Sequence, residues 1–316
     1  MELPAIDART YDVIIVGGGP AGLQTALGLA RHLWRILVID SGSYRNDATS
    51  HMHNVPGWDH ARPSDFRNSV RDQILERYDT VDFIQGKWAT KMEKNADGLF
   101  TAALDDETMV YGRKVVLATG IKDLTPPISG YEELWGKYIF HCLFCHGYEE
   151  RGAESAGVLA TDGLGNEMHA MWVARYAQRL AARITIHTNG NSELAAALEK
   201  QVTPSTISID NREIIRFKKP ADSEGVILHF SDGTQQLHRF LVHGPKRALK
   251  SDLAEQLGIQ LTAPGEIRSI SPFHETSVAG VYAAGDCMVA QGSVLQAMFN
   301  ASLVTAGLSQ ELCRDA

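Results

Sequence analysis

Residues 11–40 read YDVIIVGGGPAGLQTALGLARHLWRILVID and predict a strand, a tight turn, a helix and a second strand. Residues 13–16 form a continuous apolar run, which is typical of a buried parallel strand. Residues 17–22, GGGPAG, then place G-x-G-x-x-G where that strand ends. The first glycine permits the turn, the second lets the backbone approach a pyrophosphate, and the third lets helix and strand pack closely.

The elements that follow agree with this interpretation. Apolar residues recur at helical spacing over residues 23–30, and the N–H groups at the start of that helix would face the phosphates. The second strand, residues 36–39, is followed by Asp40, the expected position for an acid that accepts hydrogen bonds from the adenosine ribose. The sequence therefore predicts a dinucleotide-binding domain, although the glycine motif alone does not separate FAD from NAD.

Composition narrows the class of protein. A chain of 316 residues predicts one large or two medium domains, and 44% hydrophobic with 22% charged residues is typical of a globular protein. The formal net charge of −8 leaves no basic excess to neutralise phosphates, which argues against nucleic-acid binding. The same charge disfavours attraction to an anionic membrane surface.

Two features bear on localisation. The N-terminal stretch MELPAIDARTYDV carries acids and no long apolar run, so we do not expect a signal peptide. Residues 287–310 contain no charge, but their Gln, Asn, Ser, Thr and Gly content favours a helix buried against protein over a membrane span. With only four cysteines in a chain of this length, a cytoplasmic, reducing compartment is expected.

Residues 140–150, FHCLFCHGYEE, place Cys142 and Cys145 two residues apart between His141 and His146. A zinc site is disfavoured because there is no second CxxC pair and the flanking histidines are too close in sequence to complete a tetrahedron. A purely structural disulfide is disfavoured by the expected compartment. Redox exchange is favoured, since this spacing lowers a thiol pKa and permits attack through a mixed disulfide.

Two further stretches carry a family resemblance. VVLATG (115–120) and VAGVYAAGD (278–286), together with the glycine motif, resemble the signatures of two-dinucleotide flavoprotein disulfide reductases, and the mid-chain cysteines resemble the thioredoxin-reductase-like branch. The resemblance implies an α/β fold with two Rossmann-like domains. It also implies a discontinuous FAD domain, residues 1–121 and 243–316, interrupted by a module at 122–242 that carries the cysteine pair.

The same resemblance implies FAD as the cofactor. It places Asp286 on the ribityl chain, and it points the N-terminus of a helix that starts near Ser293 at the flavin ring. The cofactor-binding residues that it implies are Gly17, Gly18, Gly19, Pro20, Ala21, Gly22, Asp40, Ser41, Arg45, His53, Asn54, Ala89, Ala118, Gly120, Gly285, Asp286, Val294 and Leu295.

The resemblance also assigns roles to the cysteine pair. Cys145 is the thiol against the flavin, and Cys142 is the outer thiol that meets the substrate. Thioredoxin reductases carry an acid after the pair, whereas this chain has His146. A histidine there can accept a proton from a substrate thiol near neutral pH, so Cys142, Cys145 and His146 are the predicted catalytic residues.

Residues 157–190 have the layout of a second nucleotide site without its details. Glycines stand at 163 and 165, but Met168 occupies the place of the third small residue, and Glu167 would repel phosphate. The sequence has no Lys or Arg at residues 184–199, where NADPH enzymes of this branch have arginines for the 2′-phosphate. We therefore expect a retained fold that has lost its nicotinamide nucleotide.

That combination resembles the gliotoxin-type dithiol oxidases of secondary metabolism, which the stretches CLFCHGYEERG and SYRNDATSHMHNVPGW (43–58) also resemble. The resemblance implies a homodimer that oxidises a small dithiol, such as an epidithiodioxopiperazine, and reduces O2 to H2O2. His51, His53 and Asn54 would lie near the flavin. The alternatives are an NAD(P)H-dependent thioredoxin reductase with a divergent nucleotide site and a flavin-bound redox sensor that does not turn over.

Overall fold

The structure is a computed structural model that describes residues 10–202 and 206–315. Residues 1–9 lie outside the described residues, and they make up most of the N-terminal stretch where we expect no signal peptide. Among the described residues, no helix combines the length and the apolar character that crossing a membrane requires.

The strands alternate with helices in the first third of the chain and dominate its middle. Their bounds are β1 Thr10–Val16, β2 Ile36–Asp40, β3 Val81–Gln85, β4 Ala89–Lys94, β5 Phe100–Leu104, β6 Met109–Leu117, β7 Ile121–Leu124, β8 Ile139–Phe140, β9 Ala153–Leu159, β10 Ala181–His187, β11 Ile207–Asp210, β12 Ile214–Lys218, β13 Val226–Phe230, β14 Gln235–His238, β15 Phe240–Val242, β16 Lys246–Leu249, β17 Ser269–Ile270, β18 Glu275–Thr276 and β19 Val281–Ala283.

The helices range from single turns to the long C-terminal helix. Their bounds are α1 Pro20–Ala30, α2 Pro63–Arg77, α3 Tyr131–Leu134, α4 Leu143–His146, α5 Glu167–Ala177, α6 Ser192–Glu199, α7 Leu253–Gln256 and α8 Val294–Arg314. Helix α5 is followed by a turn at residues 178–180 that leads into β10.

The described residues divide into two compact units, and the predicted α/β class is confirmed. Unit 1 comprises the described residues up to Asp47, Pro63–Lys122 and those from Ala248 onward. Unit 2 comprises Ala48–Arg62 and Asp123–Arg247.

A parallel sheet forms the centre of unit 1. Strands β3, β2, β1, β6 and β19 pair in parallel in that order, while β4 and β5 extend β6 as an antiparallel meander. Helices α1 and α8 pack on one face over a cluster that includes Val13, Val38 and Val304. The predicted apolar strand therefore lies in the middle of a sheet, with the glycine turn at its carboxyl edge.

Unit 2 repeats this plan on a smaller scale. Strands β11, β10, β9, β15 and β8 form a parallel sheet, and β12, β13 and β14 form a separate antiparallel sheet. Helix α5 packs against β9 and β10 through Ala170, Met171 and Ala174.

The bounds of the two units differ from the predicted domains at Lys122, which falls in unit 1, and at two longer stretches. Residues 48–62 fall in unit 2 instead of the FAD domain, because His53 and Asn54 hydrogen-bond to main-chain carbonyls of α4. Residues 243–247 also fall in unit 2, since the carbonyl of Gly244 accepts a hydrogen bond from the N–H of Gly163 at 2.9 Å. Both of the longer differences depend on contacts between residues that are distant in sequence.

A buried polar chain fixes the end of β15 in unit 2. Tyr131 and His243 are fully buried. The Tyr131 hydroxyl lies 2.7 Å from His243 Nδ1, and the Thr161 hydroxyl lies 3.0 Å from Nε2. Burial lowers the pKa of His243 to about 4, so the ring is neutral at pH 7. One nitrogen of the neutral His243 ring therefore donates to one hydroxyl, and the other nitrogen accepts from the second hydroxyl.

We expect Tyr131→Phe to lower the free energy of unfolding by about 1–3 kcal/mol, because it leaves a buried ring nitrogen of His243 without a partner. Urea unfolding of the FAD-loaded protein measures this change. The matched control is Tyr78→Phe, whose hydroxyl accepts a hydrogen bond from Arg31 near the surface. That variant should stay within about 0.5 kcal/mol of the parent. Equal effects of the two substitutions would contradict the assigned role of the buried chain.

Candidate active site

The glycine turn after β1 is packed against its own backbone. A side chain at Gly22 would place its Cβ 1.8 Å from the carbonyl oxygen of Gly17. Gly17 itself has φ +117°, and a Cβ there would lie 2.3 Å from the carbonyl oxygen of Ala118. These two glycines are required by close approach, as the motif predicts.

Gly19 and Gly18 leave space for different groups. A Cβ on Gly19 would meet no protein atom within 4 Å, so this position opens away from the protein. Gly19 is the N-cap of α1 and provides no side-chain cap, with Pro20 at the first helical position. The N–H groups of the first turn are thus uncapped by a side chain, as a pyrophosphate would require. Gly18 instead makes room for Asp40, whose Oδ2 would lie 2.1 Å from an added Cβ.

The Asp40 carboxylate is buried and oriented by its neighbours. Its Oδ1 accepts a hydrogen bond from the N–H of Gly42 at 3.0 Å, and its Oδ2 accepts one from the Tyr44 hydroxyl at 2.5 Å. The Arg67 guanidinium lies 3.6 Å over the Tyr44 ring. Ser41, another predicted contact, follows directly. The sequence does not reveal Tyr44 and Arg67 as partners of this site, since no local pattern links α2 to the end of β2.

The second flavoprotein motif, residues 278–286, packs against the glycine motif and carries Asp286 at its end. Gly285 has φ +83°, and a Cβ there would lie 2.9 Å from the Cβ of Ala21. The Asp286 carboxylate accepts a hydrogen bond from Arg45 at 3.0 Å. Gly292 approaches the same carboxylate so closely that an added Cβ would lie 2.0 Å from its Oδ1. Asp286 is therefore held in place by Arg45, which is itself a predicted cofactor-binding residue, and by the close approach of Gly292.

Helix α8 begins next to this carboxylate. Ser293 is its N-cap and accepts a hydrogen bond from the N–H of Gln296 at 3.1 Å. Val294 and Leu295 occupy the first turn, with Leu295 exposed. A helix of 21 residues presents a positive N-terminus here, as the resemblance implies.

The other predicted cofactor residues of unit 1 lie at or near the same edge of its sheet. Ala118 follows β6 and donates its N–H to the carbonyl of Val16 at 2.9 Å. Gly120, with φ +69°, follows two residues later. Ala89 begins β4 and packs in the core with Val16. The open Gly19 position, the uncapped α1 terminus and the two carboxylates together fit FAD within unit 1.

In unit 2, Cys142 and Cys145 form a disulfide with a sulfur–sulfur distance of 2.04 Å. Both residues are partly buried. Cys142 is the N-cap of the short helix α4, and its Sγ accepts a hydrogen bond from the N–H of Cys145 at 3.1 Å. A donor at this distance favours the thiolate form of Cys142 once the disulfide is reduced.

His53 and Asn54 contact the main chain of the helix that carries the pair. His53 Nδ1 lies 2.5 Å from the carbonyl oxygen of Cys145, and Asn54 Nδ2 donates to the carbonyl oxygen of Phe144 at 2.7 Å. The structure thus brings these two residues to the redox pair in unit 2. Their predicted proximity to the flavin, and that of His51, stays a prediction.

His146 ends α4 and stacks on Phe140, with ring centroids 5.4 Å apart. Burial, and to a smaller extent the nearby His53, lower the pKa of His146 to about 4 against an opposing effect of Glu149. The ring is therefore neutral at pH 7 and can accept a proton. Its low pKa also makes it a weaker base than the sequence suggests.

The loop of unit 2 that corresponds to the glycine turn is filled by the protein itself. A Cβ on Gly165, the counterpart of Gly19 in the motif, would lie 3.1 Å from the carbonyl oxygen of Asp162, whereas one on Gly19 would meet no protein atom within 4 Å. The Asn166 side chain caps α5 by accepting a hydrogen bond from the N–H of His169 at 3.0 Å. Asp162 and Glu167 add negative charge at this end of the helix.

Among the described residues at the end of β10, no cation is left open for a 2′-phosphate. His187 is fully buried against His238, with their Nε2 atoms 3.0 Å apart, and burial lowers the pKa of His187 to about 3. Arg212 is nearby but binds Asp210 through both its Nε and its Nη2.

Aromatic side chains near the disulfide are exposed. Phe144, between the two cysteines, is 72% exposed, and its ring lies 5.5 Å from that of Tyr176. Trp172, one helical turn earlier in α5, stacks on Tyr176 with centroids 6.5 Å apart. Exposed apolar groups of this kind commonly mark a binding surface.

The other two cysteines have different environments. Cys287 is fully buried, and burial raises its pKa to about 12, which disfavours a reactive thiolate. Cys313 is exposed and not in a disulfide.

We expect Gly19→Ala to keep the fold but to weaken FAD binding at least about tenfold, because the added Cβ meets no protein atom and occupies the space in front of α1. Gly22→Ala should destabilise the protein strongly, since its Cβ clashes with backbone. FAD content and thermal unfolding of the purified variants measure both effects. Gly244→Ala, with room for a Cβ in unit 2, is the matched control. Retention of FAD by Gly19→Ala at the parental level would contradict the assignment.

The chain resembles known proteins over nearly its whole length. The family model for pyridine nucleotide-disulphide oxidoreductases matches residues 11–303. The chain is 43% identical to thioredoxin reductase aclD of Aspergillus oryzae, with 98% of each chain covered. It is 41% identical to thioredoxin reductase tcpT of Claviceps purpurea, over 98% of this chain and 96% of that one.

A solved structure gives the same result. An oxidoreductase from Agrobacterium tumefaciens superposes with a TM-score of 0.84 at 29% identity, over 97% of this chain and 100% of that one. The glycine turn, the two carboxylates and the redox disulfide agree with these matches. The protein is therefore a thioredoxin-reductase-like member of the pyridine nucleotide-disulphide oxidoreductase family, with FAD as its cofactor.

Proposed function

We propose that the protein is an FAD-dependent dithiol oxidase that closes an intramolecular disulfide in a small dithiol metabolite, an epidithiodioxopiperazine or a similar compound. O2 is the electron acceptor and is reduced to H2O2. The enzyme acts as a homodimer in the cytoplasm, and neither nucleic acid nor membrane takes part.

The filled nucleotide loop of unit 2 is the observation that carries this proposal. Asn166 caps the helix where a pyrophosphate would bind, and Gly165, the counterpart of Gly19, faces the carbonyl of Asp162 instead of open space. Arg212 is engaged with Asp210. A site with these features disfavours NADPH, so the electrons are taken to come from the dithiol substrate.

The first step is attack of a substrate thiolate on Cys142. The new bond joins the substrate sulfur to Cys142 Sγ, and the bond between Cys142 and Cys145 breaks, with Cys145 leaving as a thiolate. His146, neutral at pH 7, is the group proposed to accept the substrate proton.

The second step releases the product. The other substrate thiol attacks the substrate sulfur of the mixed disulfide, which closes the cyclic disulfide and expels Cys142 as a thiolate. The N–H of Cys145, 3.1 Å from Cys142 Sγ in the oxidised protein, stabilises that leaving group. Two electrons and two protons have then left the substrate, and the enzyme holds a dithiol.

FAD, when bound, is the two-electron carrier that would oxidise this dithiol and pass the electrons to O2. The residues of unit 1 bind and orient that carrier. Asp40 and Asp286 accept hydrogen bonds, while the N-termini of α1 and α8 favour negative charge.

The exposed aromatic side chains support a small, largely apolar substrate. Phe144 lies between the two cysteines, and its exposed ring contacts that of Tyr176, which stacks on the exposed Trp172. A compact metabolite with two thiols could pack against these rings while its sulfur reaches Cys142.

The alternative is an NAD(P)H-dependent thioredoxin reductase with a divergent nucleotide site. The printed names of the similar proteins from Aspergillus oryzae and Claviceps purpurea favour it. The alternative runs the same thiol relay in the opposite direction, so the direction of electron entry separates the two functions.

We expect anaerobic addition of a small dithiol to bleach the flavin absorbance of the FAD-loaded protein, and admission of air to restore it with about one H2O2 per dithiol oxidised. NADPH alone should leave the spectrum unchanged. Rapid bleaching by NADPH would instead identify a reductase. Cys142→Ser should abolish dithiol bleaching, whereas Cys313→Ser, an exposed cysteine outside the pair, should not.

We expect His146→Gln to slow dithiol bleaching at pH 7 by at least about tenfold, and the defect to disappear near pH 10, where the substrate thiol ionises without help. Because the pKa of His146 is about 4, the parent should show no inflection from this ring between pH 6 and 8. Stopped-flow absorbance over this pH range measures both effects. His141→Gln, at the exposed histidine before the pair, is the matched control. A defect that persists at high pH would contradict the role as proton acceptor.

A further inference from the structure

Three atoms that could bind a metal converge in unit 2 beside the redox pair. His53 Nε2 lies 3.0 Å from His60 Nδ1 and 3.2 Å from Glu149 Oε1. His60 Nδ1 lies 3.9 Å from the same carboxylate oxygen. Residues 53 and 60 lie far from residue 149 in sequence, so the cluster is created by the fold.

The spacing of the three atoms matches that of metal ligands. A triangle with these sides has a point about 2.0 Å from all three corners. Zn–N bonds to histidine are about 2.0–2.1 Å and Zn–O bonds to carboxylate about 2.0–2.2 Å. This point lies in the plane of the three atoms, so a small movement of the exposed His60 or Glu149 side chain brings them toward the tetrahedral arrangement of a zinc site.

The hydrogen bond to the Cys145 carbonyl selects the tautomer of His53. A carbonyl oxygen only accepts, so Nδ1, 2.5 Å away, carries the hydrogen. In the neutral ring the lone pair is then on Nε2, which is the atom that faces His60 and Glu149. A histidine that donates one ring N–H to a carbonyl and presents the other nitrogen outward is arranged as metal-binding histidines are.

The backbone holds the two histidines in place. Met52 and Ala61 form an antiparallel bridge, with the N–H of Met52 donating to the carbonyl of Ala61 at 2.8 Å. His53 and His60 lie just inside this bridge. The His51 ring stacks on His60 with centroids 4.1 Å apart and nearly parallel planes. The ligands are thus ordered before any cation binds, which lowers the entropic cost of binding.

The site is open on one side. The side chains of His60 and Glu149 are 60% and 38% exposed, whereas that of His53 is 12% exposed. A cation can enter from solvent and can keep a water as its fourth ligand.

We propose that His53, His60 and Glu149 form a binding site for a borderline divalent cation, with Zn²⁺ as the best match. Two imidazoles and one carboxylate suit Zn²⁺ far better than Mg²⁺ or Ca²⁺, which prefer oxygen ligands. A bound cation would join residues 48–62 to α4 through His53 and the Cys145 carbonyl. The site does not depend on whether electrons enter from a dithiol or from NADPH.

Isothermal titration of the oxidised, FAD-loaded protein with zinc chloride tests the proposal. The background is Cys313→Ser, so that no exposed thiol competes. We expect one Zn²⁺ per chain. We also expect His60→Asn and Glu149→Gln each to weaken binding at least about tenfold. Asn suits position 60 because the backbone there has φ 62°, which Asn tolerates. His32→Gln, at an exposed histidine of unit 1, is the matched control and should bind like the parent.

X-ray absorption at the zinc edge gives a readout independent of affinity. Nitrogen and oxygen neighbours near 2.0 Å, without sulfur, would support the site. Sulfur neighbours would overturn the proposal, and so would a parent that binds no zinc. Unchanged binding in both His60→Asn and Glu149→Gln would overturn it as well, as would displacement of Zn²⁺ by equimolar Mg²⁺. Thermal unfolding confirms that each variant is folded before it is titrated.

Discussion

The contact between Gly22 and the carbonyl of Gly17 is the constraint on which unit 1 depends. A Cβ at Gly22 would lie 1.8 Å from that oxygen, so only glycine lets α1 start directly above the end of β1. This close start directs the uncapped N–H groups of α1 toward the open space at Gly19. The parallel register of β1 and β2 places Asp40 against Gly18. The cofactor position thus depends on the missing side chains of Gly18, Gly19 and Gly22.

Unit 2 shows that the same topology does not guarantee the same ligand. Its parallel sheet, its loop after β9 and its helix α5 repeat the plan of unit 1. However, Asn166 satisfies an N–H of α5 that the corresponding turn of unit 1 leaves uncapped, and Gly165 faces protein where its counterpart Gly19 faces open space. Function therefore follows from a few side chains at the helix start, while the fold stays the same.

Features with a local cause could be predicted from the sequence, and those with a distant cause could not. The glycine turn, Asp40 and the start of α8 near Ser293 depend on residues close together in the chain, and the structure has each of them. The contacts of His53 with Cys145 and of Tyr44 with Asp40 have no repeating pattern that reveals them. The low pKa of His146 could not be predicted from the sequence either, because it results from burial, which only the packed structure defines.

The assignment of residues 48–62 to unit 2 has a consequence for the order of folding during synthesis. A ribosome delivers β1, α1 and β2 first, but unit 1 must wait for β19 and α8 near the end of the chain. Residues 48–62 are also delivered early, and they wait for α4, which carries their partners Phe144 and Cys145. Unit 2 can therefore close while unit 1 is still incomplete. The nascent chain would acquire its redox pair before it can bind its flavin.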